Sequence, residues 1–287
     1  PRAQSDRVLY RAAMQSALRR QMRLSILEGA VADFEVECGV VHGVLLESGE
    51  RLRARAVVLT TGTFLRGVIH IGRESRPGGR HGDAAAVALA ETLGRLDLPM
   101  GRLKTGTPPR LRRCSIDWSK VEPQPGDAEP VFLSFATKEA TAPQVACGIT
   151  RTTPATHAVI RGRLGDSAMY SGGIESQGPR YCPSIEDKVV RFAEKDSHQI
   201  FLEPEGVDSD LVYPNGISTS LPEDVQADMV RSIPGLEAAA IVRPGYAIEY
   251  DYVDPRALRP TLELTALPGL FLAGQVNIEL GGDRINI

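Results

Sequence analysis

Aromatic side chains make up only 5% of the 287 residues and tryptophan occurs once, which argues against a surface that stacks nucleic-acid bases on exposed rings. No sign of charge dominates. The 33 Lys and Arg stand against 36 Asp and Glu, a net charge of −3, so any polyanion has to be met by a local patch. Long apolar runs are missing as well: none approaches the ~20 residues that cross a bilayer. Pro1 to Arg11 are polar and charged with no secretory h-region, so a cytoplasmic protein without membrane contact is expected. The four cysteines, Cys38, Cys114, Cys147 and Cys182, form no CxxC and have no His at ligand spacing, which excludes a zinc site and a disulfide framework; no metal is expected. A glycine-rich GxGxxG loop after a strand is also absent. What is present is ordinary for a globular chain of one large or two average domains: 42% hydrophobic and 24% charged residues.

Ser5-Asp6 can cap a helix in which Val8, Leu9, Ala12, Ala13, Ala17 and Leu18 recur at helical spacing, with Arg7, Arg11, Arg19 and Arg20 on a solvated outer face. From Ser25 the pattern changes to short apolar runs (Ile26-Leu27, Ala30-Val31, Phe34 to Val36, Val40-Val41, Val44 to Leu46) broken at Gly39, Gly43 and Ser48-Gly49. This spacing predicts a meander of short antiparallel strands. The run Ala54 to Thr63 ends in Thr61-Gly62, as a buried strand does where it delivers its C-terminal end to a ligand or simply turns. The Gly- and Arg-rich residues 72–83 either cradle a phosphate or form a plain surface loop, and Asp83 to Leu96 reads as an Ala-rich helix. Prolines then cluster and regular elements shorten from Gly101 to about Arg243, as in a second domain inserted into the first. Near the end, Gly269 to Gln275 is a second apolar strand entering a glycine turn.

Two stretches say more. One is Gly178-Pro179-Arg180-Tyr181-Cys182-Pro183-Ser184-Ile185-Glu186-Asp187-Lys188-Val189-Val190-Arg191-Phe192; the other is Ala273-Gly274-Gln275-Val276-Asn277. With Arg2 to Arg7, Gly101 to Arg110, Pro214 to Pro222 and Arg243 to Asp251, they resemble the GidA/MnmG family of flavoproteins, over Pro1 to Asn277. The resemblance implies an α/β protein. It would have a Rossmann-like FAD-binding domain of the glutathione-reductase type (residues 1–100 and 244–287) and an inserted second α/β domain for NAD and substrate (residues 101–243). It implies an enzyme that modifies C5 of the wobble uridine of tRNA with a carboxymethylaminomethyl-type group. FAD, NADH and a tetrahydrofolate derivative would serve, together with a GTPase partner, in a homodimer.

For FAD, Val31 and Gln275 carry over, with Thr61, Gly62 and Gly274 at the two strand-to-glycine junctions; Ala86 stands where the family has a serine in the helix after the Gly/Arg loop. The stretch from Gly178 to Phe192 is the one the family uses around NAD. There Arg180 and Lys188 suit a pyrophosphate and Ser184 caps a helix beginning at Ile185. Cys182 is the thiol of this stretch, read either as the catalytic thiol or as a buried, inert cysteine before a Pro-Ser turn: uridine C5 is a poor nucleophile, and a thiolate at C6 or a flavin-carried electrophilic carbon would make it react. Independently of the resemblance, Arg102, Lys104, Arg110, Arg112 and Arg113 have no acidic residue among them and form either the local candidate for RNA phosphates or a solvated charge run. Two other readings stay open. One is a related folate- and FAD-dependent tRNA methyltransferase or an NADH:flavin oxidoreductase, against which Tyr181-Cys182-Pro183-Ser184 speaks; the other is a non-catalytic scaffold. The chain departs from the family at both ends. The residues given open after the position of the family's nucleotide-binding fingerprint, Ile278 to Ile287 do not match, and no counterpart of the family's C-terminal helical domain is expected among them. Weak FAD binding by the isolated chain is therefore expected.

Overall fold

Asp6 starts the first helix. Its carboxylate accepts hydrogen bonds from the N–H groups of Val8 and Leu9, at the head of α1 (Arg7–Arg20). The structure is a computed structural model describing residues 4–140, 142–174, 176 and 183–277. The apolar stripe expected to face inward does not: no residue of α1 is buried, and Leu9 is 53% exposed. The helix is tied down at its first turn instead, where Arg7 pairs with Glu205 at 2.8 Å and Asp6 accepts the Val207 N–H at 2.7 Å. Ile26 and Leu27 are likewise exposed and outside any strand.

The meander begins later. β1 (Val31–Glu37), β2 (Val40–Leu46) and β3 (Arg51–Arg53) form an antiparallel sheet with a tight turn at Cys38-Gly39. Beside it, β4 (Val57–Leu59) pairs in parallel with β15 (Leu270–Leu272), although more than 200 residues separate them. α2 (Val87–Gly94) packs on β1, and Phe34, Val41, Leu65, Leu93, Leu264 and Leu270 close one hydrophobic core. α2 is shorter than the run Asp83 to Leu96 suggests. Ala86 is its N-cap, Asp83 bridges to Arg80, and the Ala86 N–H bonds to the Phe64 carbonyl.

β5 (Val68–Ile71), β6 (Glu74–Pro77), β7 (Met100–Thr107) and β14 (Tyr246–Val253) make a four-stranded antiparallel sheet in the order β6-β5-β14-β7. β7 and β14 stay in register from Met100↔Val253 to Thr107↔Tyr246, so the division expected at residue 101 falls inside a strand shared by both parts of the chain. The Gly/Arg stretch is built into this hairpin. A Cβ on Gly79 would run into the Phe64 ring and one on Gly78 into Ile69, so these glycines permit close packing.

The remaining strands form a six-stranded antiparallel sheet in the order β13-β8-β12-β11-β10-β9. They are β8 (Arg110–Arg112), β9 (Glu122–Gln124), β10 (Cys147–Arg151), β11 (Gln199–Pro204), β12 (Leu211–Asn215) and β13 (Ile241–Arg243). α3 (Pro154–Gly162), α4 (Ile185–Arg191) and α5 (Glu223–Arg231) complete this part. α3 opens with a Thr153–Thr156 capping box and proline at its start. Leu111, Ile160, Ile185, Leu202, Val212 and Met229 are among the fully buried residues of its core.

Candidate functional site

Because β4 and β15 run parallel, their C-terminal ends open on the same side. Ala273 N–H bonds to the Leu59 carbonyl at 3.0 Å, which brings the turn at Thr61-Gly62 against the turn at Gly274-Gln275. Gly62 (φ +54°) and Gly274 (φ +85°) adopt backbone that other residues rarely reach. A Cβ on Gly62 would meet only the Gln275 Oε1, at 3.7 Å, and one on Gly274 would meet nothing, so backbone is accessible here. The Thr61 hydroxyl is buried with no hydrogen-bond partner among the described residues, the state of a group whose partner is a ligand or an ordered water. Asn277 holds the second turn by donating to the Leu272 carbonyl at 3.0 Å. Val31 and Ala86 are half-buried against the core beneath these turns. The crevice beyond the C-terminal ends of parallel strands is where open α/β sheets take ligands.

A second polar locus lies on the four-stranded sheet. The register sets Glu249 opposite Lys104 and Asp251 opposite Arg102, with His70 opposite Ala247, so all five charged or titratable residues share one face. Asp251 receives Arg102 at 2.6 Å and Arg66 at 3.2 Å. Glu249 is bonded by the His70 Nε2 at 3.1 Å and by the Ser176 N–H at 3.3 Å, with Arg102 at 3.9 Å. Burial opposes the Glu249 charge, yet the hydrogen bonds from His70 and Ser176 and the Arg102 charge hold the carboxyl down at about 2. Lys104 is 1% exposed. Its ammonium has no hydrogen bond among the described residues and sits 4.0 Å from the Asp187 carboxylate, which also accepts from the Tyr170 hydroxyl at 3.3 Å. Burial, then the Asp187 charge, pushes that phenol up to about 12.

This arrangement corrects the expectation of a free basic cluster. Arg102 is paired with Asp251, and Lys104 is out of reach of any RNA phosphate. Arg110 bonds Glu205 at 2.6 Å and lies 4.3 Å over the Tyr213 ring. Arg112 pairs with Asp210 at 3.0 Å, and Arg113 donates to the Val207 carbonyl at 3.2 Å. The acids come from β14 and from residues 205–210, far away in sequence, so the local composition of residues 102–113 gave no sign of them.

The glucose inhibited division protein A family model matches residues 1–281. The chain belongs to that family. It is 56% identical over 280 residues to the tRNA uridine 5-carboxymethylaminomethyl modification enzyme MnmG of Granulibacter bethesdensis, covering 96% of this chain and 44% of that protein. Two crystal forms of Aquifex aeolicus GidA superpose with TM-scores of 0.89 and 0.87, at 50% and 47% identity. Each covers 96% of this chain, and 47% and 45% of the GidA chain. The chain thus spans less than half the length of these relatives.

Of the GidA signature, Gly178, Pro179, Arg180, Tyr181 and Cys182 lie outside the described residues. The part that follows is well defined. Pro183 precedes Ser184, which caps α4 in a capping box with Asp187, as its position suggested. Glu186 is fully buried and accepts from Ser167, Thr219 and the Ser220 N–H. Lys188 donates to the Gly216 carbonyl at 2.8 Å, Ile185 and Val189 enter the core, and Val190, Arg191 and Phe192 face solvent. Much of this GidA stretch therefore docks α4 onto its neighbours.

His70 was not foreseen as a site residue, whereas Glu249 lies in the stretch Arg243 to Asp251 that carries the resemblance. The readable sign is Tyr246 to Val253, a strand with carboxylates at alternate positions opposite Arg102 and Lys104 at alternate positions of another. His70 also lines a cleft of about 440 Å³, with Gly72, Arg73, Ser75, Gly165, Ala168 and Ser171 to Gly173. Among the described residues no group of three or more His, Cys, Asp or Glu is arranged to hold a metal, and no helix is long and apolar enough to cross a membrane.

Proposed function

We propose that this chain is the central part of an FAD-dependent enzyme that modifies C5 of the wobble uridine of tRNA with a carboxymethylaminomethyl-type group. The reading rests most on the close pairing of the Thr61-Gly62 and Gly274-Gln275 turns at the C-terminal ends of β4 and β15, with the Thr61 hydroxyl unsatisfied between them. The relative's name adds the reaction. In this reading residues 1–100 and 244–287 form a Rossmann-like flavin domain and residues 101–243 an inserted domain for NAD and substrate. Val31, Thr61, Gly62, Ala86, Gly274 and Gln275 hold FAD; Ala86 offers backbone and a methyl group rather than a hydroxyl. When bound, the flavin supplies the redox chemistry, drawing electrons from NADH.

The protein's own groups do the rest. The stretch Gly178 to Phe192 serves NADH, and the Cys182 thiolate adds to uridine C6, moving the C5=C6 electron pair toward C5 so that C5 can attack a one-carbon unit. Loss of the C5 proton and departure of the thiolate restore the double bond. The one-carbon unit is the methylene of a tetrahydrofolate derivative: its bond to the folate nitrogen breaks, the electron pair staying on that nitrogen, and the amine of the carboxymethylamino group bonds to the same carbon and gives up a proton. A GTPase subunit and a second copy of the chain complete the assembly, in the cytoplasm.

The test uses the full-length protein with its GTPase partner. Nucleoside mass spectrometry of tRNA should show modified uridine that depends on NADH, and the purified protein should show flavin absorbance. Cys182→Ser should keep the flavin and lose at least about 100-fold in turnover. Wild-type protein free of flavin, or wild-type turnover in Cys182→Ser, would overturn the respective assignment.

A further inference from the structure

Tyrosine usually keeps its ring inside and its hydroxyl in water. Tyr170 does the reverse. Its hydroxyl donates at 3.3 Å to Asp187, which is only 7% exposed, yet Tyr170 itself is 37% exposed. The polar tip is turned inward, so the exposed area falls to the ring and main chain. Both ends of the side chain are held. Asp187 is fixed by its capping box with Ser184, and Ala168 and Met169, just before Tyr170, pack with Ile174 and Ala247. A ring ordered in advance loses little freedom when a partner lies against it.

Arg191 follows Asp187 by four residues and so shares its side of α4. It lies at the solvent-facing end of the stretch proposed for NADH, exposed and with no hydrogen bond or ion pair among the described residues. Arg102, Arg110 and Arg112, by contrast, are each paired with a carboxylate. The Arg191 charge is felt at the Tyr170 phenol, where it opposes burial and the Asp187 and Glu186 charges. At the next position Phe192 is 44% exposed, with the Lys195 ammonium 5.1 Å over its ring. Rings beside cations suit a single-stranded nucleic acid, whose bases stack while its phosphates pair. Tyr170 and Arg191 do not line the cleft of about 440 Å³. An open surface fits a polymer, whereas a small cofactor is held in a cleft that covers most of it.

We propose that Tyr170 and Arg191 form a binding subsite for one nucleotide of the tRNA, the ring stacking on its base and the guanidinium pairing with its phosphate. The inference rests on the function proposed above, which supplies a tRNA whose wobble uridine lies in a single-stranded loop. One ring is enough for such a contact, so the low aromatic content of the chain does not stand against it.

The test measures binding of unmodified tRNA to the full-length protein by fluorescence anisotropy over a range of salt. Tyr170→Leu should raise Kd by about 10-fold or more. Tyr170→Phe keeps the ring and should bind at least about threefold tighter than Tyr170→Leu. Arg191→Gln should reduce the slope of log Kd against log salt by about 1, the share of one phosphate. Equal losses in the Phe and Leu variants would leave Tyr170 only a structural anchor. An unchanged salt slope in Arg191→Gln would remove the phosphate contact. Loss of NADH affinity in Tyr170→Leu, with tRNA binding intact, would give the ring to the cofactor. Each of these three results overturns the proposal. Nucleoside mass spectrometry with the wild-type protein and its GTPase partner separates the two readings. A protein that binds tRNA with the expected dependences but modifies none refutes the proposed function and supports the subsite.

Discussion

The six-stranded part and the β4–β15 part of this chain close their cores to different degrees. In the first, strands from β8 to β13 pair into a continuous sheet, helices α3, α4 and α5 complete it, and a core runs from Leu111 to Ala239. In the second, the core around Leu65, Leu93 and Leu270 is equally buried, but among the described residues the parallel sheet has two strands and Val58 is 61% exposed on it. α1 adds Val8, Leu9, Tyr10, Met14 and Leu18 to the exposed apolar surface. Parallel strands are normally covered on both faces, and a two-stranded sheet alone is marginal. Antiparallel neighbours thus complete the sheet in the first part, while the second leaves more apolar surface exposed.

The comparison breaks most easily at Leu202, fully buried in the middle of β11. Leu202→Ala should cost about 3 kcal/mol, because the cavity is walled by sheet and helix and cannot collapse. Urea denaturation with an unchanged slope would read it out; a cost below about 1 kcal/mol would mean that this core is no tighter than the other.

Much of this was legible in the residues, for reasons that differ from element to element. The caps at Asp6 and Ser184 depend on neighbours within a few positions, so their identity suffices. The two strand-to-glycine junctions were legible as elements, since apolar runs ending in glycine say where a strand stops. Their pairing joins Leu59 to Ala273 and is a matter of long-range topology, suggested only by the resemblance to the GidA/MnmG family. The basic run was misleading because salt-bridge partners come from anywhere in the chain: Glu205 and Asp251 neutralise it from more than 90 positions away. α1 shows the same limit from the other side. A periodic apolar stripe says that a face can be buried; what buries it is decided elsewhere.

A gentler probe of the same contrast is pH. Burial, above all, lowers the pKa of His157, on α3, and of His198, just before β11, whose rings lie 5.2 Å apart. The unfolded chain takes up protons at these rings first as pH falls through the ordinary histidine value of 6.5, so their contribution is complete above that pH and is lost below it. Glu249 acts lower: its stabilisation is present above the ordinary 4.5 and disappears as pH falls toward about 2. Acidification from pH 7 to 5.5 should thus lower the melting temperature by a few degrees through the closed part. His198→Asn should flatten that slope while leaving the loss below pH 4.5 in place. A slope unchanged in His198→Asn would assign the sensitivity to other groups.

The smallest effect is expected on α1. Leu9 and Leu18 are 53% and 42% exposed and touch no core cluster, so truncating them removes little apolar area that folding had taken from water. Leu9→Ser and Leu18→Ser, made singly in this chain, should each change stability by less than about 0.5 kcal/mol. Arg7→Ala is the sharper control, since Arg7 holds the helix to Glu205, although an ion pair so exposed on one side is worth at most about 1 kcal/mol. The same two serine substitutions in the full-length protein separate an idle surface from a used one. A cost of about 2 kcal/mol or more there, with none in the shorter chain, would show that the stripe is buried by something outside residues 1–287. An equally small cost in both would make the stripe an ordinary exposed face, and the contrast between the two parts would then rest on Val58 and the short parallel sheet alone.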